Sequence, residues 1–173
     1  MGDGQGKEVI FVARSARKLG LVVRPREPAD DGFVRELYAS TRWEELAATG
    51  WPDSMKRALL DQQHAAQRQH YSSVFPDAEW LIVERQGSAF GRLYLRWSET
   101  EVRIVDISLL PQARARGYGS ALIRDVQRQA RASRRTVALS VVEHNSARHL
   151  YARLGFVPVP GIGTDRMQML WPA

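Results

Sequence analysis

Between an apolar run that closes at Pro111 and a helix-patterned segment that begins near Ser120, the chain reads Arg114-Ala115-Arg116-Gly117-Tyr118-Gly119. A strand that bends through two glycines into a helix leaves several backbone N–H groups unpaired and pointing one way, a ready seat for phosphate oxygens. The glycines let the backbone come close to a ligand, and the flanking arginines add positive charge. A pyrophosphate is therefore expected at this turn. The competing reading is a plain glycine turn with solvated arginines. Other phosphate loops fit poorly. A Walker loop needs Gly-Lys followed by Ser or Thr; of the lysines, Lys7, Lys18 and Lys56, Lys7 alone follows a glycine, and Glu8 comes after it. A dinucleotide fingerprint needs a third glycine where the chain continues Ser120-Ala121-Leu122.

The elements around the loop follow from hydrophobic spacing. Residues 21–25 read as a first strand, and Pro28-Ala29-Asp30-Asp31 starts a helix whose Phe33, Val34, Leu37 and Tyr38 recur at helical spacing. A turn at Gly50-Trp51-Pro52-Asp53 leads to a second helix, from Asp53 or Ser54 to about Tyr71. Residues 79–84, 91–97 and 102–109 read as three successive antiparallel strands. After the loop, Leu122, Ile123, Val126 and Ala130 form an apolar stripe opposite Arg124, Arg128, Arg131 and Arg135. Residues 137–142 form a strand reached by a crossover, hence parallel to the strand before the loop. A short helix over 146–154 and strands at 156–158 and 167–171, closing the sheet as a hairpin, complete the order.

Two segments in this order carry a family likeness. Leu109-Leu110-Pro111 precedes Arg114, Gly117 and Gly119, and one helix and one strand later comes Asn145-Ser146-Ala147-Arg148-His149-Leu150-Tyr151-Ala152-Arg153-Leu154-Gly155-Phe156. The chain resembles the GNAT superfamily of N-acetyltransferases, whose acetyl-CoA loop reads Gln/Arg-x-x-Gly-x-Gly/Ala after a strand ending Val-x-Pro. Its later segment reads Asn-x-x-Ala-x-x-Leu-Tyr-x-x-Leu-Gly-Phe. One departure is that the family asparagine often stands seven positions before the tyrosine. Here Asn145 stands six before Tyr151, and His144 holds the seventh place.

The resemblance implies an α/β (α+β) fold: a single GNAT-like domain over residues 20–173, after a flexible extension over 1–19. Its mixed central sheet would have six or seven strands and about four helices, with two splayed parallel strands holding CoA. It further implies that the backbone of Leu109 and Leu110 pairs with the pantetheine arm and that the pyrophosphate sits on Arg114, Ala115, Arg116, Gly117, Tyr118, Gly119 and Ser120. Tyr151 would be the general acid, its phenol protonated at neutral pH and able to donate to a departing thiolate; the alternative is a core aromatic. Asn145 either caps the short helix or contacts CoA, the cap being the more ordinary use. The co-substrate implied is acetyl-CoA and the partner an unidentified primary amine, acetylated by direct attack in a ternary complex. A homodimer is an open arrangement, since many such domains pair.

No general base stands out. Side chains alternate along a strand, so Asp106 and Leu109 project to opposite faces, whereas Glu101 shares the parity of Leu109. Leu139 or Ser140 stands where some relatives carry a glutamate. Glu44 and Glu45 lie near the helix pair expected to shape the acceptor pocket and read more simply as solvated helix residues.

Composition narrows the chemistry. At 173 residues the chain suits one domain, and 44% apolar with 25% charged residues is ordinary for a globular protein. With no cysteine there is neither a disulfide framework nor a thiol nucleophile, so the acceptor should attack the thioester directly. A formal charge of +6, carried almost entirely by arginine, suits CoA phosphates, nucleic acid or an anionic substrate without choosing among them. His64, His70, His144 and His149 lack metal-ligand spacing, so no metal is expected. Trp43, Trp51, Trp80, Trp97 and Trp171 are scattered as core and pocket walls would be. No stretch approaches the ~20 apolar residues of a membrane span, so a cytoplasmic location is expected. Two other readings rank lower. A CoA-binding module without catalysis is suggested by the missing base, and nucleic-acid binding by the arginine face after the loop, which no groove-reading motif supports.

Overall fold

The computed structural model describes residues 11–160 and 166–173. Among these residues twelve α-helices and strands follow in order: α1 (Arg14–Lys18), β1 (Leu21–Pro25), α2 (Asp31–Arg42), α3 (Asp53–Val74), β2 (Glu79–Arg85), β3 (Ser88–Trp97), β4 (Glu101–Leu109), α4 (Tyr118–Ala132), β5 (Thr136–Val142), α5 (Ala147–Arg153), β6 (Val157–Val159) and β7 (Arg166–Trp171). The seven strands form one mixed sheet in the order β1-β2-β3-β4-β5-β7-β6. Only β4 and β5 run parallel, joined by the crossover through α4. The expected closing hairpin is present, with β7 inserted between β5 and β6.

Period-two alternation decides which face each strand side chain takes. Leu81, Val83, Leu93, Leu95, Val102 and Ile104 pack with Leu122, Ile123 and Val126 of α4 in the main core. The opposite face carries Arg92 and Tyr94, under α2 and α3. There Tyr38, Ala39 and Leu60 make a small second core.

Two differences from the sequence reading concern ends. Residues 1–10 of the expected flexible extension lie outside the described residues, but 11–19 hold a docked helix. Phe11 and Ala16 are buried in the main core, and Asp125 of α4, itself fully buried, accepts the amides of Ser15 and Ala16 at 2.7 and 2.9 Å. Helix α4 starts at Tyr118 rather than near Ser120, because Tyr118 is buried against Phe90, ring centroids 5.4 Å apart.

Candidate active site

The ladder between β4 and β5 runs only from Glu101↔Thr136 to Ile104↔Leu139. Beyond it the strands part, and the cause lies in β4. Opposite β3, Leu95 pairs Ile104 and Tyr94 pairs Asp106, so Val105 is one residue too many. Such a bulge bends its strand and raises the local twist, which carries the end of β4 away from β5.

The same bulge reverses side-chain parity. Val102 and Ile104 before it, and Ile107 and Leu109 after it, all reach the main core. Asp106 and Ser108 therefore share the other face with Glu101. The opposition of Asp106 and Leu109 stands, but Glu101 does not share a face with Leu109 as simple alternation implied; the inserted Val105 is the reason.

Past the bulge, β4 has main-chain groups facing the gap. Leu110 donates its amide to Phe90 O at 2.8 Å. In an antiparallel ladder, bonded and non-bonded pairs alternate, so Leu109, paired with Gly91, turns its N–H and C=O away from β3. The Arg114 Nε donates to that carbonyl at 3.1 Å, leaving the Leu109 amide for a ligand lying along the gap. Gly91 makes this packing possible, since a Cβ there would stand 2.5 Å from Leu109 Cδ2 and 2.9 Å from Ser108 O.

The loop after β4 passes through a single 3-10 turn, Pro111–Ala113. Ala115 and Gly117 then adopt left-handed conformations, φ 57° and 79°, and Gly117 enters α4 with no side chain capping the helix. Among the described residues no acceptor engages the amides from Ala115 to Ser120. A run of unpaired N–H groups at a helix N-terminus, with Arg114 and Arg116 exposed beside it, fits a diphosphate.

Tyr151 sits in α5, whose C-terminus has a closed hydrogen-bond pattern. Gly155 takes φ 85° and donates to Ala152 O at 3.0 Å, and Phe156 donates to Tyr151 O at 3.0 Å. This is a Schellman motif with its usual apolar contact, the Tyr151 and Phe156 rings meeting edge-on at 5.9 Å. The Leu-Tyr-x-x-Leu-Gly-Phe spelling is thus a helix stop that fixes the phenol. Tyr151 is 8% exposed, and its hydroxyl has no hydrogen-bond partner among the described residues. Burial first, then the Asp106 carboxylate, pushes the phenol up to about 12, so it is protonated at neutral pH. Asn145 precedes the N-cap Ser146, and its Oδ1 accepts the Ala147 amide at 2.8 Å, bracing the first turn of α5.

The face opposite Leu109 holds a network that the sequence reading missed. Arg92, 3% exposed, grips Asp106 with Nε and Nη2 at 3.1 and 2.9 Å and donates to Gln67 at 2.8 Å. Ser108 Oγ and Tyr71 Oη also donate to Asp106, at 2.7 and 3.4 Å. Burial penalises the Arg92 charge, but Asp106 more than offsets this and raises its proton affinity. The Tyr71 phenol is pushed up by burial and then by Asp106. Four donor atoms thus occupy the Asp106 carboxylate. The available signal was an arginine inside the apolar run of β3, two strand positions from Tyr94.

The other acidic candidates lie elsewhere. Glu44 and Glu45 open an exposed 3-10 turn, and Glu45 reaches only Arg42, at 3.6 Å. Ser140, one of the two residues expected where some relatives carry a glutamate, donates to Gln168 at 2.9 Å, and Leu139 is buried. His64 packs on Tyr38, centroids 5.4 Å apart, and its imidazole is pushed down by burial and then by Arg92. Among the described residues there is no cluster able to hold a metal and no helix long and apolar enough to cross a membrane.

Known proteins share this fold. Residues 76–158 match the family model described as an acetyltransferase (GNAT) domain. Among solved structures, PaiA N-acetyltransferase from Thermoplasma acidophilum, in complex with coenzyme A, superposes with TM-score 0.67 at 14% identity, covering 88% of this chain and 99% of that one. YncA, a putative acetyltransferase from Salmonella typhimurium with acetyl-CoA, gives 0.55 at 19%, covering 88% and 94%. Ard1 from Thermoplasma volcanium gives 0.57 at 21%, covering 88% and 97%. No curated protein matches significantly in sequence. Residues 76–158 thus carry the likeness to a GNAT acetyltransferase domain, and the chain has the fold of these acetyltransferases.

Proposed function

We propose that this protein transfers the acetyl group of acetyl-CoA to a primary amine by direct attack. Three features support the proposal: the splay of β4 from β5 beyond Ile104, the unpaired amides of Ala115 to Ser120, and the protonated Tyr151 phenol, whose neighbour Leu150 lies 3.7 Å from where a Cβ on Gly119 would stand. Ala115, Gly117, Tyr118, Gly119 and Ser120 hold the diphosphate through backbone N–H groups, with Arg114 and Arg116 adding charge. The Leu109 amide hydrogen-bonds the pantetheine arm; Leu110 contributes its side chain and its carbonyl, its amide being committed to Phe90. Asn145 acts by fixing the start of α5. Tyr151 donates its proton to the thiolate as the amine nitrogen bonds to the acetyl carbon and the carbon–sulfur bond breaks. The proton lost by the amine passes to water.

One observation favours a CoA-binding module instead: Asp106 is already fully engaged by Arg92, Tyr71 and Ser108. A panel of primary amines assayed for release of free CoA thiol separates the two readings. Thiol release that depends on the amine supports transfer. Tight acetyl-CoA binding with no release for any amine supports the module, and no acetyl-CoA binding refutes both.

A further inference from the structure

Helix α4 gives its apolar side to the sheet, and α1 lies along it, so the outer surface of the pair is left unused by acetyl transfer. Beyond its first turn, α4 exposes Arg124, Arg128 and Arg131, with Ala132 at its end. Steps of four and three residues keep the arginines in one stripe about 10 Å long. Helix α1 adds exposed Arg14, Arg17 and Lys18. The one carboxylate on either helix, Asp125, is fully buried and faces the amides of Ser15 and Ala16 together with Arg128. Arg131 is steadied over the Trp171 ring at 5.2 Å.

This is not a uniform richness in arginine. Residues 111–173 contain ten basic and three acidic side chains, whereas residues 1–110 contain 15 and 16. The acceptor side of the sheet pairs its arginines with carboxylates, as Arg24 with Asp30, Arg92 with Asp106 and Arg96 with Asp77. The α1–α4 face has no exposed carboxylate of its own.

We propose that the α1–α4 face docks single-stranded nucleic acid through its phosphate backbone. Guanidinium forks match phosphate oxygens two at a time, and a row of them on a convex helix surface follows a backbone without reading bases. A protein partner would need an apolar centre inside a polar rim. Here the exposed apolar side chains, Val12 and Leu19, flank α1 at its two ends, and the middle of the face is cationic.

The test is fluorescence anisotropy of the full chain with a fluorescein-labelled oligoribonucleotide of about 20 nucleotides, with saturating acetyl-CoA present to keep the loop amides engaged. Neutralising about five phosphates gives a log–log salt slope near −3.5, or roughly a 100-fold loss of affinity between ~50 and ~200 mM salt. A variant combining Arg14→Gln, Arg17→Gln and Arg124→Gln should bind at least about tenfold more weakly, with the slope shallower by about 2. Its unfolding midpoint reports whether it folds; should it not, Arg124→Glu alone serves the same purpose. No binding at low salt, a flat salt dependence, or undiminished binding by the folded variant overturns the proposal. So does equal competition by polyglutamate, which would make the partner an acidic protein. The result does not depend on whether the protein transfers acetyl groups.

Discussion

Phe156 donates its amide to the Tyr151 carbonyl at 3.0 Å while the two rings meet edge-on, so one residue both ends α5 and clamps the phenol. The bond closes only because Gly155 between them adopts φ 85°, and a Cβ there would stand 3.3 Å from two atoms of the Trp171 indole. Gly155→Ala should therefore cost about 1–2 kcal/mol from the left-handed backbone, read as a lower urea midpoint with unchanged slope. Acetyl transfer should fall more than acetyl-CoA affinity, because the proposed site puts the phenol on α5 and the diphosphate on the loop.

Tyr151→Phe removes one oxygen and leaves the Schellman motif intact. Turnover should drop about 100-fold with acetyl-CoA affinity nearly unchanged, as measured by thiol release and calorimetry. Unchanged turnover would remove Tyr151 from the mechanism. The wild-type pH profile follows from the raised phenol, which stays protonated until pH approaches about 12. Tyr151 should therefore add no basic limb to turnover below about pH 11. The stability sign is opposite to that of a salt-bridged acid. An unfolded tyrosine ionises near ~10, while the folded one resists, so stability is full below pH 10 and falls as pH rises toward 12. Denaturant midpoints between pH 8 and 11, compared with Tyr151→Phe, test this.

The loop and the helix stop were legible because their glycines do one local thing each: Gly117 enters α4 and Gly155 leaves α5, both at positive φ. The order of elements was legible for a similar reason, since period-two and period-3.6 patterns survive in a single sequence. The bulge was not. Val105 looks like any β-branched strand residue, and its extra place exists only relative to β3, where Tyr94 and Leu95 skip it. The splay, the parity of Glu101 and the company of Asp106 all follow from that pairing. The Arg92–Asp106 grip was hidden likewise, because the partners lie 14 residues apart on strands whose register the bulge shifts. Residues 11–19 were read as an extension because α1 has only five residues and is held by a carboxylate 109 positions away.

At Gly91, space rather than backbone angle demands glycine. A Cβ 2.5 Å from Leu109 Cδ2 would push that side chain, and 2.9 Å from Ser108 O would strain the strand itself. Gly91→Ala should cost about 1–3 kcal/mol as overpacking and shift the Leu109 amide in the gap. Acetyl-CoA affinity should fall several-fold by calorimetry. A variant binding as tightly as wild type would mean that Leu109 does not line the cofactor path.

Asp125 offers a separation of stability from function. Its two carboxylate oxygens accept from Ser15 and Ala16, tying α1 to α4, and the residue is fully buried. Replacing it with alanine leaves two amides without acceptors and Arg128 without its nearest carboxylate, at 2.7 Å in the native fold. Unsatisfied groups of this kind cost about 1–3 kcal/mol each, so the fold should lose on that order, and hydrogen exchange at Ser15 and Ala16 should accelerate well ahead of exchange in β3 and β4. Asp125→Asn keeps one acceptor and should lose less. Acetyl-CoA affinity should hold in both variants, because the loop amides lie at the opposite end of α4 from Gln129, which also fastens the segment by bonding Val12 at 3.0 Å. If Asp125→Ala weakened acetyl-CoA binding in step with stability, α1 would be part of what shapes the loop rather than a separately fastened strap.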